Sequence, residues 1–209
     1  MEDKLAIVSR RILKPILGKN KLAMERATKY KNIMVSQGIK ARLGTFIGGE
    51  LNSCLQLTAI YSDMTTATKS FTELSKNEEI MEMMSIREDD PSGHLIGPEV
   101  YRTIFGQPSG DHNILLIREY DVDRKYIPQT IELLNEVEEI GKDEDTKVLA
   151  LYPIIADKMD SLFVVYYYSS FEAMGDIIDR IGMSDAFQNV VNRANEIGKL
   201  KTSNVVKII

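Results

Sequence analysis

The sequence predicts an α+β protein made of two tandem copies of one strand–helix–strand–strand–helix–strand unit. Three observations carry that prediction. The stretch Leu51 to Met84, LNSCLQLTAIYSDMTTATKSFTELSKNEEIMEMM, reads as a strand running into a helix and a second short helix. The stretch Lys158 to Val191, KMDSLFVVYYYSSFEAMGDIIDRIGMSDAFQNVV, reads the same way at a gapless offset of 107 that sets Tyr61 on Tyr168. That offset keeps apolar character at Leu55/Leu162, Leu57/Val164, Phe71/Ile178, Leu74/Ile181 and Ile80/Phe187, and a repeat of such length is a small domain rather than a solenoid unit. Finally, Ile114–Ile117 and Leu162–Tyr168 are apolar at nearly every position, so both faces of those strands should be buried.

In chain order, Lys4–Lys14 is the first expected strand, ended by Pro15 and Gly18. Asn20 is placed to cap a helix through Gln37, with Leu22, Ala23, Ala27, Tyr30, Ile33 and Met34 on one stripe and Gly38 beyond its end. Strand Ile39–Ile47 meets Gly48-Gly49, which suits a tight hairpin turn. The strand and helix of the repeated stretch follow, and Asn77 with Glu78 and Glu79 starts the extra short helix. Ile86–Pro98, rich in charge, proline and glycine, reads as a loop, and Val100–Phe105 as the fourth strand. Gly106–His112 has the composition of a joint, giving units 1–106 and 112–209 with linker 107–111. The second unit offers strand Ile114–Tyr120, a helix opening near Asp123 through Ile140 with Pro128 in its first turn, and strands Thr146–Ile155 and Lys158–Tyr168 around Ala156-Asp157. Helix Phe171–Ile181, a second helix capped by Ser184 and closing strand Val205–Ile209 complete it.

This element order is the split βαβ arrangement of the ferredoxin-like fold, in which helices cover one sheet face and leave the other bare. The bare faces of two such units cover each other. At this point the chain resembles the dimeric α/β-barrel superfamily, with the dimer fused into one chain and the two antiparallel sheets packed about a pseudo-two-fold axis. Its segments "LSKNEEIMEMM" and "IGMSDAFQNVV" are similar to the L-x-x-[DS]-P-x-F segment of the stress-responsive, antibiotic-biosynthesis-monooxygenase and NIPSNAP-like branches, although both copies lack the proline. The resemblance implies a barrel that binds a small organic molecule, anionic or aromatic. It also implies two alternatives: a cofactor-independent monooxygenase-type enzyme, or a structural or oligomerisation module with a filled barrel.

Composition narrows the partners. With 44% hydrophobic and 27% charged residues the chain is ordinary for a globular protein. A net charge of −5 gives no electrostatic reason to expect nucleic acid or an anionic membrane. Residues 1–107 carry 15 basic and 13 acidic side chains and residues 108–209 carry 11 and 18, a +2/−7 imbalance that favours docking of the halves. The longest apolar run is too short to span a bilayer, no signal-peptide pattern opens the chain, and Cys54 is the only cysteine, so a reduced cytoplasmic setting is expected. A homo-oligomer is compatible with all of this.

The candidate ligand-binding residues are Arg11, Arg118, Gln56, Thr58, His94 and Tyr166. Arg11 and Arg118 are equivalent at offset 107, and two guanidiniums turned into one barrel would suit an anion. Each arginine has a plainer reading as well, emerging into solvent or paired with a nearby carboxylate. Gln56 and Thr58 are polar where the second unit has Phe163 and Val165. His94 sits in the 86–98 loop, expected as a lid over a barrel mouth. Tyr166 belongs to the run Tyr166-Tyr167-Tyr168, whose alternate members must face opposite ways. Neither His94 nor His112 falls where an axial haem ligand is needed and neither has a partner at metal-ligand spacing, so no cofactor and no metal are expected. The carboxylates around Glu132–Asp145 read as a solvated helix face.

Overall fold

The computed structural model describes residues 5–209. Eight strands close into one antiparallel barrel: β1 (Ile7–Pro15), β2 (Lys40–Gly48), β3 (Leu55–Tyr61), β4 (Gly93–Phe105), β5 (Ile114–Val122), β6 (Thr146–Ile155), β7 (Ser161–Tyr168) and β8 (Gly198–Ile208). Six α-helices pack outside: α1 (Asn20–Ser36), α2 (Met64–Ser75), α3 (Glu78–Asp89), α4 (Ile127–Ile140), α5 (Phe171–Ile177) and α6 (Asp185–Ile197). Around the barrel the order is β1-β3-β2-β8-β5-β7-β6-β4, so β2 with β8 and β4 with β6 join the two halves.

Strand pairing keeps the offset of 107. Ile7 faces Tyr61 as Ile114 faces Tyr168, Arg11 faces Leu57 as Arg118 faces Val164, and Lys40 faces Ile60 as Lys147 faces Tyr167. Period-two alternation then sorts the core into layers. Val8, Ile12, Phe46, Tyr101, Leu115, Ile117, Leu149, Phe163, Val165, Tyr167 and Val206 point into the barrel. Ile7, Leu43, Leu55, Leu57, Ala59 and Tyr61 point outward against Ala23, Ile33 and Met34 of α1 and Ala67 and Leu74 of α2. Leu162, Val164, Val148 and Ala150 meet Leu134 and Val137 of α4 and Val190 of α6, while Ile114, Leu116 and Tyr168 meet Ile177 of α5. Helices on one face and the opposite sheet on the other explain why β5 and β7 read as unbroken apolar runs.

Several local expectations are corrected. The Lys4 end of the first strand lies outside the described residues. Lys19 holds the N-cap position of α1 with no side-chain cap bond, and Asn20 is already helical. The β2–β3 connection spans residues 49–54 instead of a two-residue turn, held by Ser53 N–H donating to Phe46 O, and Cys54 lies just before β3, buried in the lumen layer. Asp123 starts a single 3₁₀ turn, and α4 begins only at Ile127. The 86–98 loop does not exist as such. Helix α3 runs to Asp89 and β4 starts at Gly93, because β1 continues to Pro15 and pairs with Gly93–Ile96. Likewise β8 begins at Gly198 where only Val205–Ile209 was expected, pairing with β5 along its length. The caps at Asn77 and Ser184 are as the sequence reads, their side chains accepting from Ile80 N–H and Phe187 N–H.

The connection after β4 is hydrogen-bonded to the barrel. Arg42 of β2 donates to Ser109 O, to His112 O at 2.7 Å and to Asn113 Oδ1 at 3.0 Å. Ser109 and His112 are buried, with Ser109 Oγ 2.7 Å from His112 Nδ1 and His112 Nε2 3.2 Å from Asp145 Oδ1. A segment with polar joint composition is thereby fixed across one end of the barrel. No helix among the described residues is long and apolar enough to cross a membrane.

Candidate functional site

The barrel lumen is nearly full. Large inward side chains leave a cavity of about 50 Å³, bordered by Arg10, Arg42, Gln56, Thr58, Tyr101, Tyr167 and the linker residues Pro108 and Ser109. Organic ligands occupy pockets of roughly 300–1,000 Å³. Space on that scale lies in the wall of the second half, between the outer face of its sheet and its helices. There a cavity of about 310 Å³ is lined by Leu116, Arg118 and Tyr120 of β5, Tyr166 and Tyr168 of β7, Val137 of α4, and Ile178, Ile181 and Phe187 from the helical layer. A smaller lobe of about 70 Å³ shares Arg118, Tyr120, Tyr166 and Phe187. Wider depressions beside α1 and the 49–54 connection lie on open surface and gather no buried polar side chain.

The sequence builds this cavity by three departures from the first half. There, Arg11 fills the equivalent space, its guanidinium 5.5 Å from the Tyr30 ring and 5.7 Å from the Phe71 ring, with Nη1 donating to Ser9 Oγ at 3.3 Å. At offset 107 Tyr30 becomes Val137 and Phe71 becomes Ile178, two rings exchanged for smaller aliphatic side chains. The third departure is in the backbone. Residues equivalent to regular α2 run as α5 only to Ile177, then wind as a π-helix over Ile178–Gly182. A π turn widens the helix locally and recurs at functional sites; here Ile178, Ile181 and Gly182 all border the cavity.

Arg118 gives the cavity its chemistry. No carboxylate forms an ion pair with it among the described residues, and its buried Nε has no hydrogen-bond partner. Instead the guanidinium lies 5.5 Å from the Tyr166 ring and donates to the Tyr120 and Tyr166 hydroxyls. Burial works to lower its pKa, but Tyr166, Tyr120 and Tyr168 outweigh burial and hold it above the ordinary arginine value. Burial also pushes the phenols up, Tyr168 to about 12 and Tyr166 beyond that range, so both are neutral donors near pH 7. One fixed cation with neutral hydroxyls, set in an apolar wall, can receive a flat molecule that carries a single anionic group.

The six residues singled out from sequence fall into two groups and two strays. Arg118 and Tyr166 come together in the wall cavity, and Gln56 and Thr58 share the lumen cavity. Arg11 faces α1 and α2 and does not meet Arg118 in the barrel; the arginines that border the lumen cavity are Arg10, one pleat from Arg11, and Arg42 of β2. His94 is exposed on β4 opposite Lys14 and borders neither cavity. Within the tyrosine run it is Tyr167 that faces the lumen. Val137, Ile178 and the π turn were missed, although the first two are visible as aromatic-to-aliphatic changes at the repeat offset.

Haem needs an axial ligand to its iron. The lining of the wall cavity contains no histidine, cysteine or carboxylate. Tyrosine ligates haem iron as phenolate, and burial that raises Tyr166 and Tyr168 opposes that form. His112 is engaged by Ser109 and Asp145 elsewhere. The residues present do not fit haem. No group of three or more His, Cys, Asp or Glu side chains suited to a metal ion occurs among the described residues.

No protein-family model matches the chain, and no curated protein matches it. Solved structures do. A candidate monooxygenase from Fusobacterium nucleatum superposes with a TM-score of 0.68 at 13% identity, covering 99% of this chain and 93% of that one. An anthrone oxidase-like protein gives 0.65 at 10% identity, covering 100% and 92%. A chlorite dismutase from Candidatus Nitrospira defluvii gives 0.56 at 9% identity, covering 99% and 92%. At such identities the likeness is one of fold: this chain has the fold of the dimeric α/β-barrel superfamily.

Proposed function

We propose that this protein binds a small organic anion with an aromatic body in the cavity between its second-half sheet and helices. The observation that carries the reading is Arg118, a cation with no carboxylate ion pair among the described residues, which lines a cavity of about 310 Å³. Arg118 takes the anionic group, Tyr166 and Tyr168 supply donors, and the aliphatic helical layer covers the ring.

The test is titration of 2-naphthoate, followed by its fluorescence, against wild type, Arg118→Leu and Tyr166→Phe. A charge-assisted hydrogen bond contributes about 1.5–3 kcal/mol, so Arg118→Leu should weaken binding roughly 10- to 100-fold. Neutral 2-methylnaphthalene should bind wild type and Arg118→Leu alike. Undiminished 2-naphthoate binding by Arg118→Leu would overturn the proposal. Native mass spectrometry of the same samples reports retained ligand and assembly state.

The likeness to the anthrone oxidase-like protein supports a second reading, in which the bound anion is an oxidisable enolate and dioxygen the co-substrate. Anthrone plus one dioxygen gives anthraquinone plus water, with Arg118 holding the enolate oxygen. Oxygen uptake with anthrone that is lost in Arg118→Leu supports catalysis; no uptake by wild type confines the site to binding.

A further inference from the structure

The barrel lumen lacks two partners that one small molecule would supply together. Arg42 is a half-buried cation with no carboxylate ion pair among the described residues. Three of the five N–H donors of a guanidinium are engaged, by Ser109 O, His112 O and Asn113 Oδ1. Two remain. Across the β2–β3 ladder sits Gln56, only 3% exposed, whose Oε1 accepts nothing. Register places Arg42 opposite Thr58 and Gly44 opposite Gln56, so Arg42 and Gln56 are diagonal neighbours on the inward face, within reach of one small ligand.

The other polar groups bordering this space are already satisfied. Arg10 is neutralised by Glu99 at 2.6 Å, and the Tyr101 hydroxyl donates to the same carboxylate at 2.7 Å. The Tyr167 hydroxyl receives the Ser109 N–H. What is missing is negative charge for Arg42 and a donor for Gln56 Oε1. A water requires roughly 10–15 Å³ of such space, so a cavity of about 50 Å³ admits a molecule of about four non-hydrogen atoms.

We propose that the lumen is a second binding site, separate from the wall cavity, for a small oxyanion that also carries a hydroxyl, of the bicarbonate type. Its charged oxygens face the two remaining Arg42 donors, the Thr58 hydroxyl being engaged by Arg42 O, and its hydroxyl donates to Gln56 Oε1. Nitrate has the same planar shape and charge but no donor. Water has donors but no charge.

The experiment measures thermal shift and ¹³C line broadening with labelled bicarbonate at fixed pH and ionic strength, with nitrate as comparison. With Gln56 intact the protein should bind bicarbonate saturably and roughly tenfold more tightly than nitrate, the value of one buried hydrogen bond. Gln56→Leu should bring the two anions to parity. Gln56→Glu, which sets a carboxylate against the anion, should abolish both while circular dichroism stays native. Each measurement is made on an Arg118→Leu background, which removes the wall-cavity cation and confines the readout to the lumen. Equal affinity for the two anions, no saturable binding (a lumen holding water only), or a preference that survives in Gln56→Leu would each overturn the proposal.

Discussion

Replacing Glu99 with alanine should cost this barrel much of its stability margin, and the structure says how much. Glu99 Oε2 receives Arg10 Nη2 at 2.6 Å, Arg10 Nε at 3.2 Å and the Tyr101 hydroxyl at 2.7 Å. The Arg10 guanidinium also lies 4.3 Å from the Phe163 ring. The two charged side chains are 17% and 15% exposed, so the pair is largely withdrawn from water. Removing one partner of a buried pair strands the other charge at about 3–5 kcal/mol. Residual exposure argues for the lower end, about 3 kcal/mol, which for a chain of this size lowers Tm by roughly 6–12 °C. Removing both charges in Arg10→Met/Glu99→Leu should restore most of the loss. The pH dependence has a definite sign. Burial pushes the Glu99 carboxyl up, but Arg10 and Tyr101 outweigh burial and hold it below the usual range. A carboxyl lowered in the folded state stabilises above its unfolded pKa, near 4.3, and that contribution disappears as pH falls through the folded value. Urea unfolding followed by circular dichroism should therefore show a constant gap between wild type and Glu99→Ala from about pH 8 to 5, closing below about pH 4. A gap under about 1 kcal/mol at pH 7, or one that widens on acidification, would refute the reasoning.

Two further outcomes follow from particular backbone and packing features. Gly106 has φ +64°, and a Cβ there would stand 2.1 Å from Val148 O, so Gly106→Ala should destabilise by roughly 1–3 kcal/mol in thermal melts. Ile178→Phe combined with Val137→Tyr restores the two rings that crowd Arg11 in the first half; 2-naphthoate binding should fall roughly tenfold or more, with Tm held or raised as the cavity fills.

The fold was legible because it rests on signals that survive substitution. Apolar alternation and the capping residues Asn77 and Ser184 are local features, and the 107 offset carried the strand register of one half onto the other. Strand lengths were less legible. Gly93–Ile96 and Gly198–Asn204 contain glycine, lysine and polar residues that do not read as strand, and they pair because β1 and β5 offer complementary edges. A joint-like composition at 107–111 likewise hid the grip of Arg42, since the arginine is more than sixty residues away in sequence.

The site was legible in residue type but not in side. Offset 107 sets Arg11 and Arg118 at matching positions of β1 and β5, yet that match does not say which sheet face they occupy, and in a barrel lined on both faces each strand is apolar both ways. One pleat separates Arg11 from Arg10 and Tyr166 from Tyr167, and that pleat decides between lumen and helix layer. The informative signal was where the copies differ. Arg11 and Arg118 occupy the same register, but Tyr30 and Phe71 close around the first while Val137 and Ile178 stand back from the second. A buried arginine needs something to offset its desolvation. In the first half the protein supplies it as aromatic faces and Ser9; in the second as the Tyr166 ring and the Tyr120 and Tyr166 hydroxyls, with the buried Nε left unpartnered. Two equal halves would have carried two filled wedges or two cavities. With two rings fewer and one π turn, the second half leaves a cavity where the first half is filled, and the proposed ligand site rests on that difference.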